Sequence, residues 1–283
     1  MNNLKIKING TEISLENSAP VAGNLALDTS EAENLCASLS KESDILSKQF
    51  KAISLLSDVK SVESFGYKST EAVGENVKKA FSTAGVKIKE FIDKIITAIK
   101  NFIGKKVVEV QIAAADKRMH GAGKRDADKV IIKAKKFEEF EAKKAAVLEA
   151  VKEINSMDLP AQFMDVANAI KEVETTVKGL SLKKGPFTKT GDDEAEISTG
   201  DMIDLIAHAK QNMNSLIDGL KKAATACEMA KKTITSSNGD QTALKIANLT
   251  AKAASKATGV IIAYTSAVAT WKFPAAPEEK PAA

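Results

Sequence analysis

Residues 73–106 combine an apolar stripe with a set of lysines, and this is the part of the sequence most suited to binding chemistry. The apolar side chains recur every three or four residues and therefore share one face of an α-helix. They are Phe81, Ala84, Ile88, Phe91, Ile92, Ile95, Ile99, Phe102 and Ile103. The lysines of the same stretch project elsewhere: Lys78, Lys79, Lys87, Lys89, Lys94 and Lys100. Such a helix can pack into a core, lie on an anionic membrane or present ammonium groups to phosphates.

The charge of the chain is distributed unevenly, and this favours the phosphate interpretation. The formal net charge is +4, but residues 1–63 carry −3, residues 64–136 carry +9 and the remainder carries −2. A local excess of positive charge attracts polyanions with a strength that falls as salt rises. The segment adds six further basic residues to the predicted DNA-binding set: Lys105, Lys106, Lys117, Arg118, Lys124 and Arg125.

A glycine-rich stretch after this segment invites comparison with phosphate-binding loops. The residues are Gly121-Ala-Gly123-Lys124. A Walker motif needs Ser or Thr after the lysine and a strand before the loop. Here Arg125 follows and no strand is predicted upstream. An ordinary turn between helices is the better interpretation, and nucleotide binding is not expected.

The remaining reactive side chains are not arranged for catalysis or for metal binding. His120 and His208 each lack a second His or Cys at ligand spacing, and the adjacent carboxylates Glu138-Glu139 and Asp192-Asp193 diverge or are solvated. Cys36 and Cys227 are the only cysteines, one in each half of the chain, so we expect reduced thiols and no disulfide framework. We therefore expect no enzyme activity, no metal and no cofactor.

The N-terminal part of the sequence predicts a β-hairpin followed by a helix. Residues 4–15 alternate apolar and polar side chains around Asn9-Gly10, whose positive φ angles suit a type I′ turn. A helix is predicted from about residue 30 to residue 56. The serine-rich residues 57–70 break the periodicity and predict a linker between an acidic segment and a basic body.

The sequence of the body predicts a succession of helices. After the basic helix, Gly104 precedes a helix over residues 107–118, and further helices are predicted from Lys129 to about Ser156 and from Pro160 to Lys178. Residues 179–197 predict a long surface loop.

Two long helices complete the body. Over residues 201–234 apolar side chains fall seven apart in two registers, which is the a/d seam of a coiled coil and a rod about 50 Å long. Residues 236–240 form a tight turn, so the helix over residues 241–272 should fold back antiparallel. The proline-rich residues 273–283 predict a disordered tail.

The fold class that follows is mainly α, an elongated antiparallel helical bundle with a small N-terminal β-hairpin. We divide the chain into an acidic segment (1–63), a helical body (64–272) with a basic first part (64–136), and the tail. No run of 18 or more apolar residues is long enough to cross a bilayer, so we expect a soluble protein made in a cytoplasm.

A tripeptide of the form Ser-x-Glu occurs in the N-terminal part as Ser14-Leu-Glu16, Ser40-Lys-Glu42 and Ser61-Val-Glu63. The last copy lies in the predicted linker, where proteolysis is tolerated. The acidic leader, this junction, the following Ser64-Phe-Gly and the lysine-rich helix resemble the internal head proteins of large tailed bacteriophages. The resemblance covers residues 57–106. It implies that a prohead protease recognises Ser61, Val62 and Glu63, cleaves before Ser64 and removes the N-terminal propeptide.

The resemblance also implies a location inside the capsid of the virion, after assembly in the host cytoplasm. The expected function is that of a structural protein that contacts double-stranded DNA without sequence preference, or capsid and core proteins, through its basic segment. Self-association into a homo-oligomer stays open. The alternative is a membrane-active, pore-forming-like protein in which residues 81–103 and 259–271 enter anionic lipid, and a third is a scaffold whose lysines are only solvated.

Overall fold

The structure is a computed structural model of the 283-residue chain. It describes residues 4–8, 11–15, 29–62, 70–121, 128–182, 188–237 and 240–274. The helices, in chain order, are α1 (Thr29–Val62), α2 (Thr70–Gly104), α3 (Val107–Gly121), α4 (Ala134–Asn155), α5 (Met164–Gly179), α6 (Thr199–Ser236) and α7 (Gln241–Ala269). At 1.5 Å per residue α6 alone is about 57 Å long. The expected mainly helical, elongated bundle is confirmed.

Helix α7 is the centre of the fold, because all the other helices pack against it. Nearly every residue between Ala243 and Val268 is buried; the exceptions are Lys245, Lys252 and Lys256. The helix is rich in Ala, Gly, Ser and Thr, so several neighbours can approach its backbone closely. The sequence predicts one apolar seam on α7, whereas the structure buries every side of the helix except the line of these three lysines.

The predicted antiparallel hairpin of the last two long helices is confirmed as α6 and α7. Residues far from the turn on one helix meet residues far from it on the other: the hydroxyl of Tyr264 lies 3.2 Å from Nδ1 of His208, and Gly219 lies against Ile261. The seam residues of α6 are buried: Met202, Ile206, Ala209, Leu216, Leu220, Ala223, Cys227, Ala230 and Ile234. Helix α7 ends at Ala269, three residues before the predicted end.

A four-stranded antiparallel sheet closes one end of the bundle, and the sequence analysis missed it. Its strands are β3 (Lys129–Lys133), β4 (Thr188–Lys189), β5 (Glu194–Ser198) and β6 (Trp271–Lys272), in the order β4-β5-β3-β6. The prediction of helix from Lys129 is therefore wrong for its first five residues, and the predicted loop over residues 179–197 contains β4 and most of β5. The β-branched run of β3 favours a strand once a distant partner is available.

The N-terminal β-hairpin is confirmed. Strands β1 (Leu4–Ile8) and β2 (Thr11–Leu15) pair antiparallel, with Ile6 opposite Ile13. The turn residues Asn9 and Gly10 lie outside the described residues.

The predicted linker and tail are only partly described. Helix α1 continues to Val62, so the linker prediction is wrong for residues 57–62, and residues 63–69 lie outside the described part. At the other end, the ring of Phe273 packs edge-on against Trp271 with the ring centroids 5.2 Å apart. Residues 275–283 of the predicted disordered tail lie outside the described residues.

Candidate anion-binding surface

The apolar stripe of α2 is buried in the core, as its spacing predicts. Phe81, Ile88, Ile95 and Phe102 are at most 6% exposed, and Ile92 and Ile99 are fully buried. The stripe packs against α1, α6 and α7. An α2 that kept these contacts could not insert its apolar face into lipid, so the helix presents only its polar side to a partner.

The lysines of α2 lie along both flanks of its exposed side rather than on one continuous face. Lys78 and Lys89 line a groove that α2 forms with α6 and α7. Lys87 lines a second groove, on the opposite flank, that α2 forms with α1. Between the flanks lie Glu90 and Asp93, both exposed. The surface therefore offers two lysine rows with carboxylates between them.

The groove between α2, α6 and α7 has an apolar floor and a polar rim. Its volume is about 600 Å³. Phe81, Gly85, Val86, Ile234 and Leu244 form the floor, and Lys78, Ser82, Lys89, Thr235 and Gln241 form the rim. A methyl group at Gly85 would come within 3.1 Å of Leu244, so the glycine allows the close approach of α2 to α7. The rim offers two ammonium groups and no described carboxylate.

Two of the predicted phosphate-binding lysines already have carboxylate partners. The ammonium group of Lys94 lies 2.6 Å from Glu42 on α1, and that of Lys100 lies 3.7 Å from Glu228 on α6. Both ammonium groups are within reach of solvent, but a phosphate would have to displace or share the carboxylate. These two lysines are weaker candidates than their neighbours.

Seven of the predicted lysines form no ion pair with any residue that the structure describes. They lie on α2, in the turn between α2 and α3, and on α3: Lys78, Lys79, Lys87, Lys89, Lys105, Lys106 and Lys117. In the turn, Lys106 has a φ of 50° and its amide donates to the carbonyl of Ile103 at 3.0 Å. This left-handed residue lets α3 start directly after α2 and leaves two adjacent ammonium groups exposed.

Arg118 has a structural role in the fold, unlike the other predicted members of the set. Its guanidinium donates to the carbonyl of Trp271 at 2.7 Å and to that of Ala269 at 3.2 Å, and it lies 5.2 Å from the centroid of the Trp271 ring. It thereby satisfies carbonyls at the carboxyl end of α7 and fixes strand β6. Lys124 and Arg125 lie outside the described residues.

The sequence analysis did not single out two basic residues that form ion pairs with α1. Lys136 on α4 is paired with Glu33 at 2.6 Å, and Lys256 on α7 is paired with Asp44 at 3.3 Å. Both carboxylates belong to α1. The negative charge of residues 1–63 was the available signal, but the sequence does not show which lysines those carboxylates would meet.

Several of the residues tested for catalysis contact other side chains in the part of the chain that the structure covers. Glu138 and Glu139 pair with Lys189 and Lys143. Burial raises the pKa of Tyr264 to about 12, and its hydroxyl is held by His208. Among the described residues, no group of three or more His, Cys, Asp or Glu side chains is placed to hold a metal ion.

The Ser-x-Glu copies lie in different surroundings. Ser40 is half-buried inside α1, and Glu42 is held by Lys94. Ser61 and Val62 lie in the last turn of α1, where helices open most readily, and Glu63 and Ser64 are outside the described residues. Cleavage at the last copy stays a prediction.

Within the described residues, none of the helices combines the length and the apolar character needed to cross a membrane. Comparisons of the chain with protein-family models, with curated proteins and with solved structures give no match. Function must therefore be argued from the surface itself.

Proposed function

We propose that the chain is a non-catalytic structural protein of the interior of a bacteriophage head, where it binds packaged duplex DNA through the lysines of α2 and the α2–α3 turn. The observation that supports this most is the set of seven lysines without a described ion pair, four of them on α2, whose apolar stripe is already buried. Capsid or core proteins are the other candidate partners of the same surface.

The dimensions of α2 suit a duplex. From Lys78 to Lys105 the helix axis rises about 40 Å, which corresponds to about 12 base pairs at 3.4 Å per pair. Ammonium groups on flexible stems can reach phosphates on either flank without reading bases. The described surface of α2 offers no exposed aromatic ring between its lysines, so stacking on unpaired bases is not expected.

The protein is also proposed to be processed before Ser64 by a protease of the prohead type. Support comes from the Ser61-Val62-Glu63 tripeptide at the end of α1 and from the change of charge at that point. Loss of residues 1–63, which carry −3, would raise the net charge from +4 to +7. N-terminal sequencing of the protein from assembled particles should give Ser64; Met1 or Asn2 alone would contradict the processing step.

The DNA proposal is tested by removing charge from the unpaired lysines. In the full chain, Lys78, Lys87 and Lys89 are changed together to Gln, and retention on a mixed-sequence duplex is measured over a series of salt concentrations. If each lysine meets one phosphate, the slope of log affinity against log salt should fall by about 2 to 3. The fold should be unchanged, because exposed charges contribute little to stability.

The matched control changes three exposed lysines of α4 and α5, Lys135, Lys152 and Lys171, together to Gln. It alters the net charge by the same amount and should leave the slope within about one unit of the original. Equal losses in the two variants would show that only net charge matters and would remove α2 from the mechanism. No retention by the unmodified chain at low salt would contradict DNA binding altogether.

A membrane-active function is a second candidate, and one observation favours it. The carboxyl-terminal half of α7, residues 257–268, has no charged residue and is completely buried by the helices around it. Proteins that insert into membranes can store an apolar helix in this way. Leakage of anionic liposomes by the full chain, without binding to duplex DNA, would favour this candidate over the first.

A further inference from the structure

Among the residues whose side chains the structure describes, the ion pairs between α1 and the rest of the bundle all have the same polarity. Glu33 pairs with Lys136 of α4, Glu42 with Lys94 of α2, and Asp44 with Lys256 of α7. In each case α1 supplies the carboxylate and the body supplies the ammonium group. Three lysines of α1 whose side chains the structure describes, Lys41, Lys48 and Lys51, form no ion pair with any described residue.

Two of the three body lysines are largely buried where they meet the carboxylates of α1. The side chains of Lys136 and Lys256 are 23% and 13% exposed, whereas that of Lys94 is 57% exposed. Lys136 also donates to the hydroxyl of Ser266 at 2.8 Å. If α1 moved away, these ammonium groups would lose their carboxylates and face solvent on three different helices.

The contact between α1 and the rest of the bundle mixes apolar and polar side chains and is incompletely packed. Ala32, Cys36, Leu39, Leu46 and Phe50 of α1 are buried in the core. Ser43 is 1% exposed and its hydroxyl has no partner among the described residues. Asn248 meets Ser47 at only 3.5 Å. A cavity of about 60 Å³ separates Cys36 from Lys143, Ser255 and Lys256. Water and counterions could replace the polar contacts of this interface.

From these observations we propose that α1 is an acidic cover over a second basic surface, formed by Lys94, Lys136 and Lys256, whose ligand is the phosphate backbone of duplex DNA. This inference rests on the proposed function. Phosphates compete with the carboxylates of α1 for the three lysines. Along α1 the carboxylates span 11 positions, so the lysines are spread over about 17 Å, the length of about five base pairs.

Processing before Ser64 would act on this cover. Helix α1 is joined to α2 through residues 63–69, and a cut there leaves α1 held only by non-covalent contacts. Displacement of α1 then uncovers the second surface irreversibly. The basic surface available to DNA then includes lysines of α2, α4 and α7 instead of the lysines of α2 alone.

A disulfide can lock the cover in place in the full chain. A Cβ built on Gly259 lies 3.9 Å from Cβ of Cys36, within the range that a disulfide spans. The Gly259→Cys variant, oxidised, holds α1 on α7, and a reductant releases it. DNA retention is measured in both states between about 50 and 200 mM salt.

The reduced protein is expected to show a slope of log affinity against log salt that is steeper by about 2 to 3 than that of the oxidised protein. Three more phosphate contacts make the affinity lost over that salt range about 40-fold larger. Equal slopes in both states would overturn the cover and leave DNA binding by α2 intact. Absence of retention in both states would overturn the proposed function and this inference together.

A second variant works without a disulfide. Glu33→Gln, Glu42→Gln and Asp44→Asn are combined to remove the three carboxylates. The control combines Asp165→Asn, Asp192→Asn and Asp204→Asn, three exposed carboxylates without a described ion pair, which change the net charge equally. A steeper slope in the first variant alone supports the cover; the same slope in both contradicts it.

Discussion

Helices α1 and α6 both run along the central helix α7, but they are held there by different chemistry. The seam of α6 is made of Leu, Ile, Met and Ala side chains, with Gly219 allowing close contact to Thr176 and Ile261. The seam of α1 also buries apolar side chains, among them Leu39, Leu46 and Phe50, but it contains a hydroxyl without a described partner, a marginal Asn248–Ser47 contact, a small cavity and charged rims. The α6 seam is apolar, whereas the α1 seam is mixed and its polar part can be opened and hydrated.

This difference separates the part of the molecule that maintains the fold from the part that can change its surface. An apolar interface loses most of its stabilisation when water enters, because the free energy scales with the area buried. An interface of hydroxyls and ion pairs exchanges one set of hydrogen bonds for another and loses much less. The polar part of its seam therefore makes α1 easier to release than α6.

The largest expected effect comes from a truncation in the α6 seam. Leu216→Ala should lower the free energy of unfolding by about 2 to 5 kcal/mol, because Leu216 is fully buried and leaves a cavity. In the α1 seam, Ser43→Ala removes a hydroxyl without a described partner and should change stability by less than about 0.5 kcal/mol. Urea unfolding monitored by circular dichroism gives both values, and a large loss for Ser43→Ala would refute the distinction.

A smaller effect is expected from a methyl group added to one glycine in each seam. In Gly219→Ala the new Cβ would lie 2.8 Å from Cγ2 of Thr176 and 3.1 Å from Cδ1 of Ile261, so we expect a loss of about 1 to 3 kcal/mol. In Gly259→Ala the nearest atom is Cβ of Cys36 at 3.9 Å, which is ordinary contact. The second variant should be stabilised by up to about 1 kcal/mol through helix propensity. A melting temperature that falls in Gly219→Ala and rises in Gly259→Ala would support the difference between the two seams.

The smallest effect concerns the ion pairs at the edges of the two helices. Glu42→Gln removes the 2.6 Å contact with Lys94 and should cost about 0.2 to 1 kcal/mol. Glu228→Gln on α6 removes a 3.7 Å contact between two well-exposed groups and should cost close to nothing. A salt titration of urea midpoints checks this, since the effect of Glu42→Gln should disappear at high salt.

Helical periodicity predicted most of the fold, because the helices carry their apolar stripe in their own sequence. This periodicity predicted the seam of α6 and the stripe of α2, and the residues between α6 and α7 predicted a turn. Strand β3 was not, since its pairing partner β5 lies more than 60 residues away and becomes available only in the folded chain. The short strands β4 and β6 carry too few residues to show a period.

The candidate site was only partly predictable for a related reason. The lysines of α2 could be placed on the outside from spacing alone, but the partners of Lys94 and Lys100 come from α1 and α6, and Arg118 is recruited by the end of α7. Ion pairing depends on which helices become neighbours. The sequence shows which segments concentrate charge, but the packing of the helices determines which charged side chains remain without an ion pair.

One cysteine lies in each seam, so thiol labelling of the unmodified chain compares the two directly. Cys36 belongs to α1 and Cys227 to α6, and both are buried. Burial raises the pKa of Cys36 to about 12 and also raises that of Cys227, so a thiol reagent reacts with either only when its seam opens.

The decisive measurement is the rate at which each cysteine is labelled, followed by peptide mass spectrometry, at low salt, at high salt and with duplex DNA. We predict that Cys36 reacts at least about ten times faster than Cys227, because the mixed seam of α1 opens at lower free energy than the apolar seam of α6. Salt and DNA should both accelerate Cys36 and leave Cys227 unchanged. Equal rates, or a Cys36 rate indifferent to salt and DNA, would contradict the claim that α1 is a removable acidic cover.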